Sequence, residues 1–271
     1  MHRLNTFRTV RTVGTAVLPA LLIVSAGCDI AMADHKAKET SEWRKSYDFQ
    51  PGGRFEIGNV NGRIHILPGQ GNTVEVVAVK SGSAMTQEAA KEALNRIEIA
   101  EEVSAGVIKI QTKFARASGG GLFGGNSLHV EYTVRVPVDA EVRASTVNGG
   151  VEITGLSGRV NAETTNGGVK LRDLTGAVEA STTNGGVDAD LARVSDAGVK
   201  LECTNGGIKL RLPADSKASI SARQTNGGID VVGLTLDSSE NSRRRLDARL
   251  NGGGARIDLE GTNGGIVISS R

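Results

Sequence analysis

Apolar residues alternate with polar ones along most of the chain, and glycine-rich turns interrupt the alternation at regular intervals. From residue 140 onward the tripeptide Asn-Gly-Gly recurs, beginning at Asn148, Asn166, Asn184, Asn205, Asn226, Asn251 and Asn263. The first four steps are 18, 18, 21 and 21 residues, and the last two are 25 and 12. An apolar pair two positions apart precedes and follows most of these tripeptides, for example Val160 and Ala162, then Val169 and Leu171. Alternation with a period of two predicts strands with one buried face, so each repeat contains two short strands and two corners.

Two architectures are compatible with this pattern. Asn-Gly also marks the turns of antiparallel hairpins, which would give a meander. A fixed repeat of this length favours stacked coils, because stacking explains why the same residue types recur in register. We therefore predict an all-β, right-handed parallel β-solenoid over residues 140–271. Its Asn-Gly-Gly corners would form ladders along the stack, since a tight corner needs positive φ, which glycine adopts freely and asparagine tolerates.

Residues 47–139 show the same strand pattern with less regular spacing, and we predict that they form the N-terminal part of the same solenoid. The segment 59–62, Asn-Val-Asn-Gly, is an early form of the later corner. A helix is predicted over residues 86–97, because Thr86 can cap it and its apolar residues fall on one face. A glycine-rich loop over residues 118–126 would connect two strands or offer an apolar contact at its tip.

The first residues resemble a bacterial signal peptide of the lipoprotein type, which we assign to residues 1–27. A basic stretch precedes an apolar run over residues 13–24, and that run is shorter than the ~20 residues needed to cross a bilayer. Val-Ser-Ala-Gly-Cys follows and resembles a lipobox, which predicts lipidation of Cys28 and a membrane anchor.

A second way of processing the N-terminus remains open. Ala31-Met32-Ala33 is an Ala-x-Ala cleavage site, and cleavage after Ala33 would release a soluble chain. In either case we expect an exported protein of the periplasm or cell envelope. Residues 28–46 are polar and charged, and we predict that they form a tether between the membrane and the folded part.

Charge and cysteine content narrow the function classes. The chain has 32 basic and 30 acidic residues, and three of the arginines lie in the predicted signal peptide, so the remainder is 29 against 30. A near-neutral chain gives no electrostatic case for nucleic-acid binding. Cys203 is the only other cysteine, so no internal disulfide is expected, and its strand position predicts a small buried side chain.

Residues that could carry chemistry are sparse. His35, His65 and His129 show no metal-ligand spacing, and we predict no metal, no cofactor and no catalytic residue. Residues 140–271 contain no aromatic side chain to stack on a sugar ring, which disfavours a carbohydrate-active β-helix enzyme. The triplet Arg243-Arg244-Arg245 is predicted to be a solvated loop, with a contact to anionic headgroups or an envelope polymer as the alternative.

Several segments carry a family resemblance: Phe49-Gln50-Pro51-Gly52-Gly53, Asn61-Gly62-Arg63-Ile64, and Tyr132-Thr133-Val134-Arg135-Val136-Pro137 before the Asn-Gly-Gly series. This layout resembles the bacterial putative-adhesin domain family of unknown function, which is similar to the head domains of some auto-transporter adhesins. The resemblance covers roughly residues 47–271. It implies a right-handed β-solenoid, an envelope location and no known catalysis, and it supplies no binding residues.

These observations predict a non-catalytic binding or scaffold module at the cell envelope, whose partner is an envelope protein or polymer. One alternative is an accessory protein in envelope stress signalling that acts through helix 86–97 or an open end of the solenoid. A carbohydrate-active enzyme is the other alternative.

Overall fold

The structure is a computed structural model that describes residues 37–115 and 127–271. The predicted signal peptide, Cys28 and the glycine-rich loop 118–126 lie outside the described residues. The described part is mostly β-strand with a single helix. Its first half contains β1 (Ala37–Asp48), β2 (Arg54–Gly58), β3 (Ile64–Pro68), β4 (Thr73–Ala84), α1 (Gln87–Asn95), β5 (Ile97–Ser104), β6 (Val107–Phe114) and β7 (Ser127–Val136).

The second half is made of strands alone. In chain order these are β8 (Glu141–Asn148), β9 (Val151–Thr154), β10 (Val160–Asn166), β11 (Val169–Leu174), β12 (Val178–Asn184), β13 (Val187–Leu191), β14 (Val199–Asn205), β15 (Ile208–Leu212), β16 (Ala218–Val232), β17 (Leu236–Asn241), β18 (Arg245–Leu250) and β19 (Ala255–Ser270). β16 and β19 are long because each continues through an Asn-Gly-Gly corner.

The strands stack in two faces. The upstream face contains the strands that precede the corners, paired in the order β5, β6, β2, β8, β10, β12, β14, β19, β16, β18 and β17. The downstream face contains β1, β4, β7, β3, β9, β11, β13, β15 and the second halves of β19 and β16. One upstream and one downstream strand make a coil, and the faces enclose a single core of buried aliphatic side chains.

Between β8 and β15, corresponding positions of successive repeats lie over one another, and many of the stacked residues are identical. Val160 pairs with Val142 and Val178, and Asn166 pairs with its counterparts at 148 and 184, always in parallel. A meander cannot give this result, because its sequential strands pair in antiparallel. The fold is solenoid-like, and each buried valine, leucine or isoleucine in the stack contributes roughly 1.5–3 kcal/mol.

Stacking order and chain order differ at both ends. The coil of β2 and β3 lies between the coil of β6 and β7 and the coil of β8 and β9. At the other end, β19 lies between the coil of β14 and β15 and the coil of β16. The last coil in the sequence is therefore an interior coil, and β16, with its antiparallel neighbours β18 and β17, forms the end of the stack.

The predicted tether over residues 28–46 is wrong for residues 37–46. These residues belong to β1, which pairs with β4 along its whole length in antiparallel. They read as polar because β1 is an edge strand whose outer side chains, such as Lys38 and Arg44, are exposed. Charged residues on an edge strand prevent pairing with other chains. Trp43, on the other side of β1, packs against the core.

The helix matches its predicted place but is shorter, Gln87–Asn95 within 86–97. The Thr86 hydroxyl accepts a hydrogen bond from the Ala89 N–H at 3.2 Å. The helix packs closely on β4 at Gly82, where an added Cβ would lie 2.6 Å from the Leu94 nitrogen. The helix in the described residues is too short and too polar to cross a membrane.

Candidate functional site

The corner asparagines form one continuous row of hydrogen bonds along the stack. In each step the side-chain N–H of one asparagine donates to the side-chain oxygen of its neighbour, with N···O distances of 2.7 to 2.9 Å. We call this set the asparagine row. In stacking order it contains Asn61, Asn148, Asn166, Asn184, Asn205, Asn263 and Asn226. The amide groups of the row are thus largely engaged with one another.

Asn251 was predicted to be a corner like the others, and this is wrong. It adopts a left-handed conformation with φ of 51° in the turn between β18 and β19. Its side-chain amide donates to the Ala214 and Ser216 carbonyl oxygens, both at 2.8 Å, and not to the row. This turn has the Asn-Gly-Gly sequence of a corner but does not lie in the asparagine row. Its presence divides the interval between Asn226 and Asn263 into steps of 25 and 12 residues.

A second column lies behind the row and points inward. The hydroxyl groups of Thr146, Thr164 and Thr182 donate to glycine carbonyl oxygens of the preceding coil. Cys203 continues the column, and its thiol donates to the Gly185 carbonyl oxygen at 3.2 Å. Cys203 is buried, as predicted, and burial raises the pKa of its thiol. The corner is therefore held by internal contacts that leave little for a ligand.

At the end of the stack, a glycine and a glutamine replace the threonines of this column. Position 261, in β19, is a glycine, and the side chain of Gln224 from β16 fills the space where a threonine would stand. The Gln224 Nε2 group donates to the carbonyl oxygens of Asn226 and Gly264. The Gln224 Oε1 atom is buried and has no partner among the described residues. Regular repetition therefore ends where β16 meets β19.

An open polar groove occupies the outer side of this same end. It consists of two adjacent depressions of about 600 and 700 Å³. We call it the terminal groove. Its charged residues are Glu202, Arg223, Asp237, Glu240, Arg244, Arg245, Asp247, Arg249, Arg256, Asp258 and Glu260, and its hydroxyl residues are Thr204, Ser219, Ser221, Thr225, Ser238, Ser239 and Thr262. From Ser219 to Thr225 it follows seven residues of β16, and the six steps between them span about 20 Å at the rise of a strand.

Some charges of the terminal groove are paired and others are not. The paired charges are Asp247, which accepts from Ser221 Oγ at 2.7 Å, Asp258, which accepts from Arg256 Nε at 2.6 Å, Glu240, which contacts Arg245 at 3.7 Å, and Glu202, which contacts Lys200 at 2.7 Å. The bond to Asp258 raises the pKa of Arg256, which stays charged. Arg223 and Arg244 line the second depression, and neither forms an ion pair with a described residue. Their guanidinium groups are free to bind an anionic group.

On the outer side of the downstream face the arginines and aspartates bind one another, whereas Lys170 and Lys209 form no ion pair with a described residue. Arg172 contacts Asp188 at 2.7 Å, and Arg211 bridges Asp188 and Asp190 at 3.1 and 3.3 Å. Burial acts to raise the pKa of Asp188, but the hydrogen bonds from Arg172 and the charge of Arg211 outweigh it and hold the pKa below its usual value. These charges are less available to a ligand than those of the groove.

The opposite end of the stack is closed. The Tyr47 hydroxyl donates to Glu101 Oε2 at 2.7 Å, and Lys45 contacts the same carboxylate. Burial and this bond raise the pKa of Tyr47, so its hydroxyl remains a donor. The contact joins β1 to β5, the outermost strands of the two faces. His65 and His129 lie on adjacent strands, and no group of three or more potential metal ligands occurs within 37–115 and 127–271.

Sequence reasoning missed most of the terminal groove. Only Arg244 and Arg245 were singled out, as part of a triplet predicted to be a solvated loop. The signal was the broken spacing of the tripeptides between Asn226 and Asn263, because an insertion into a regular stack is where non-repetitive surface arises.

The fold and the asparagine row define a solenoid-like, β-rich protein. Residues 138–269 match the family described as Toastrack DUF4097, and the resemblance to the bacterial adhesin-like domain family of unknown function is thereby confirmed. No curated protein matches the chain.

The structure comparison matches the chain to solved structures from several bacteria. A putative cell adhesion protein from Clostridium sporogenes ATCC 15579 is 13% identical, with 86% of this chain and 100% of that chain covered and a TM-score of 0.47. A putative adhesin from Bacteroides fragilis NCTC 9343 is 12% identical, with 85% and 97% covered and a TM-score of 0.35. A putative adhesin from Parabacteroides distasonis ATCC 8503 is 12% identical, with 85% and 97% covered and a TM-score of 0.22.

Proposed function

We propose that this chain is a non-catalytic, adhesin-like binding module of the cell envelope and that the terminal groove is its ligand site. The observation that carries the proposal is the pair of guanidinium groups, Arg223 and Arg244, which line the second depression of the groove without an ion-pair partner among the described residues. An unpaired guanidinium offers several N–H donors in a fixed plane and binds carboxylate or phosphate groups with two hydrogen bonds.

The regular faces support this choice by contrast. The amides of the asparagine row bind one another, and the arginines of the downstream face bind Asp188 and Asp190. A ligand would have to break these contacts before it could use the groups. At Arg223 and Arg244 a ligand does not have to break an existing ion pair, so the free-energy cost of binding is smaller there than on the regular faces.

The lining favours a polar polymer that carries both carboxylate and ammonium groups. Arginines stand beside carboxylates such as Glu202 and Glu260, and hydroxyl groups of serine and threonine separate them. No aromatic residue is present to stack on a sugar ring. An extended, peptide-bearing envelope polymer fits a groove of about 20 Å, since six extended residues span that length.

We further propose that the coils are right-handed, that the chain is exported, and that lipidation of Cys28 anchors it to a membrane. Cys28 precedes Ala37, the first residue of β1, by nine positions. β1 lies at one end of the downstream face and the terminal groove lies at the other end of the stack. The seven members of the asparagine row span about 29 Å, since six steps of about 4.8 Å separate them.

The test is co-sedimentation of the purified full-length chain with isolated cell-wall sacculi as the probe. We expect the double variant Arg223→Gln and Arg244→Gln to bind at least about tenfold more weakly, the loss for removing two charge-assisted contacts. A matched control replaces Lys170 and Lys209, which lie on the outer side of the downstream face, by glutamine. Equal binding by the groove variant and the wild type would refute the groove as the site. New reducing ends released from the sacculi would refute the non-catalytic assignment.

A further inference from the structure

The asparagine row bears on a chemical reaction that belongs to the Asn-Gly sequence itself. The backbone nitrogen of the glycine attacks Cγ of the asparagine side chain and expels ammonia, which leaves a five-membered succinimide ring. Water then opens the ring to aspartate or isoaspartate, so the net reaction consumes one water and releases one ammonia. Glycine makes the step easy because it has no side chain to shield the nitrogen. The chain has eight such sequences, at Asn61 and at the seven tripeptides.

Inside the row, both reacting groups are held in place. The N–H groups of Gly62, Gly149, Gly167, Gly185 and Gly206 each donate to the main-chain carbonyl oxygen of the next asparagine in the stack, at 2.7 to 2.9 Å. The asparagine side-chain oxygen accepts from the next side chain, and the side-chain N–H donates to the previous one. Attack requires the glycine nitrogen to lose its proton and the side chain to rotate, and each contact opposes one of these changes.

The two ends of the row are not equivalent. At the closed end, the Asn61 side-chain N–H donates to the Leu128 carbonyl oxygen at 3.1 Å, its side-chain oxygen accepts from Asn148, and the Gly62 N–H is also bound. At the groove end, the Asn226 side-chain N–H donates to Asn263 at 2.9 Å. Within the described residues, nothing donates to the Asn226 side-chain oxygen.

The position of Asn226 explains this difference. β16 is the last coil of the stack, so no further coil supplies the side-chain N–H for Asn226 or the carbonyl oxygen that would accept from Gly227. The Ile229 N–H donates to the Arg243 carbonyl oxygen at 3.1 Å, and from Asp230 onward the strand is exposed, with Val231 at 36% and Val232 at 56%. Asn226 does keep a contact on its main-chain oxygen, from Gln224 Nε2 at 3.1 Å. Asn251 lies outside the row, and its side-chain amide is held by two hydrogen bonds to main-chain carbonyl oxygens.

We propose that Asn226 is a site of spontaneous deamidation in the folded protein and that the stacked members of the row are protected from the same reaction. The product weakens the coil that carries it. A carboxylate has no N–H to give to Asn263, and two facing oxygen acceptors repel. Isoaspartate also lengthens the main chain, directly beside Gln224 and Thr225 of the terminal groove. The reaction rests on the row alone, and it would occur whether or not the groove binds a polymer.

The test is peptide mapping by mass spectrometry of the purified full-length chain after incubation in mildly alkaline buffer. Deamidation is read at each Asn-Gly from its mass gain, and isoaspartate from enzymatic methylation. We expect Asn226 to convert at least about tenfold faster than Asn166 or Asn184, because the stacked members react only after the stack opens. In denaturant the eight sequences should react at similar rates, and Asn226→Gln should remove the early product from the folded chain.

Two results would overturn the proposal. In the folded chain, conversion of Asn166 or Asn184 at the same rate as Asn226 would show that stacking gives no protection. An intact Asn226 in a folded sample, with rapid conversion in the denatured sample, would show that the end of the row is protected as well.

Discussion

Gln224 and Gly261 occupy paired positions of the inward-pointing column, and the Gln224 side chain fits there only because residue 261 is a glycine. A Cβ added to Gly261 would lie 1.8 Å from the Gln224 Oε1 atom. Elsewhere in the column a threonine hydroxyl or the thiol of Cys203 donates to a carbonyl oxygen of the preceding coil. At the end of the stack, the long side chain of Gln224 replaces the short threonine side chain and its hydrogen bond. The terminal groove lies on the outer side of β16 and β19 at this point.

The first prediction concerns this exchange. Gly261→Thr alone should destabilise the protein by about 1–3 kcal/mol, because the new side chain overlaps Gln224. Gly261→Thr combined with Gln224→Thr should recover most of the loss, since the pair restores the threonine column. Urea denaturation of the three proteins measures this. Additive losses in the double variant would mean that the two positions do not compete for the same space.

The threonine column itself gives the second prediction. Thr164→Val keeps the shape of the side chain but removes the donor to the Gly149 carbonyl oxygen, so stability should fall by about 1–2 kcal/mol. Its neighbour Thr165 is exposed on the outer side, and Thr165→Val is the matched control with an expected change under about 0.5 kcal/mol. Equal effects at both positions would contradict an inward, hydrogen-bonded column.

The third prediction separates the two glycines of one corner. Gly185 has φ of 147°, and an added Cβ would lie 2.0 Å from the Gly167 carbonyl oxygen. Gly185→Ala should therefore cost more than about 3 kcal/mol, through both strain and collision. Gly186 is the control, because its added Cβ would come no closer than 3.2 Å to the Gly207 oxygen. Thermal unfolding of the two variants tests the difference. A tolerated Gly185→Ala would mean that the corner does not need its first glycine.

Much of this architecture is accessible from sequence because its physical causes are local. Alternation around Val160 and Val169 predicts two strands for each repeat, and in-register recurrence predicts stacking. Asn251 could not be distinguished from a corner, because the sequence Asn-Gly-Gly also forms the left-handed turn in which Asn251 lies. β1 was missed because an edge strand carries polar residues on its outer side. The terminal groove depends on the insertion of β19 beside β16, a long-range pairing that no local pattern encodes.

The fourth prediction is a dependence of stability on pH through Asp188. Its pKa is held below the usual value, so its contribution is complete above the unfolded-state pKa of about 3.9 and disappears as the pH falls through the folded-state value. Asp188→Asn should cost about 1 kcal/mol at neutral pH, and the difference from wild type should shrink as the pH falls below the unfolded-state pKa of about 3.9. Asp230→Asn, at an exposed position in β16, is the control for replacing a carboxylate on an outer strand face. Urea midpoints across this range provide the measurement, and a constant difference at every pH would contradict the assignment.

The fifth prediction tests the order of the coils. β19 follows β16 in the sequence, so sequence order alone would place Ile268 in the terminal coil. In the stack it pairs with Val231, and it is the inner of the two: Ile268 is 0% exposed and Val231 is 36% exposed. Ile268→Ala should therefore cost about 2–5 kcal/mol, as for a core position, and Val231→Ala less than about 1 kcal/mol. Denaturant unfolding measures the two variants side by side.

Because β19 lies between two coils, hydrogen exchange in Ile268→Ala should also rise in both β15 and β16. An effect confined to the last residues of the chain, or a larger cost at Val231 than at Ile268, would show that β19 is the terminal coil after all.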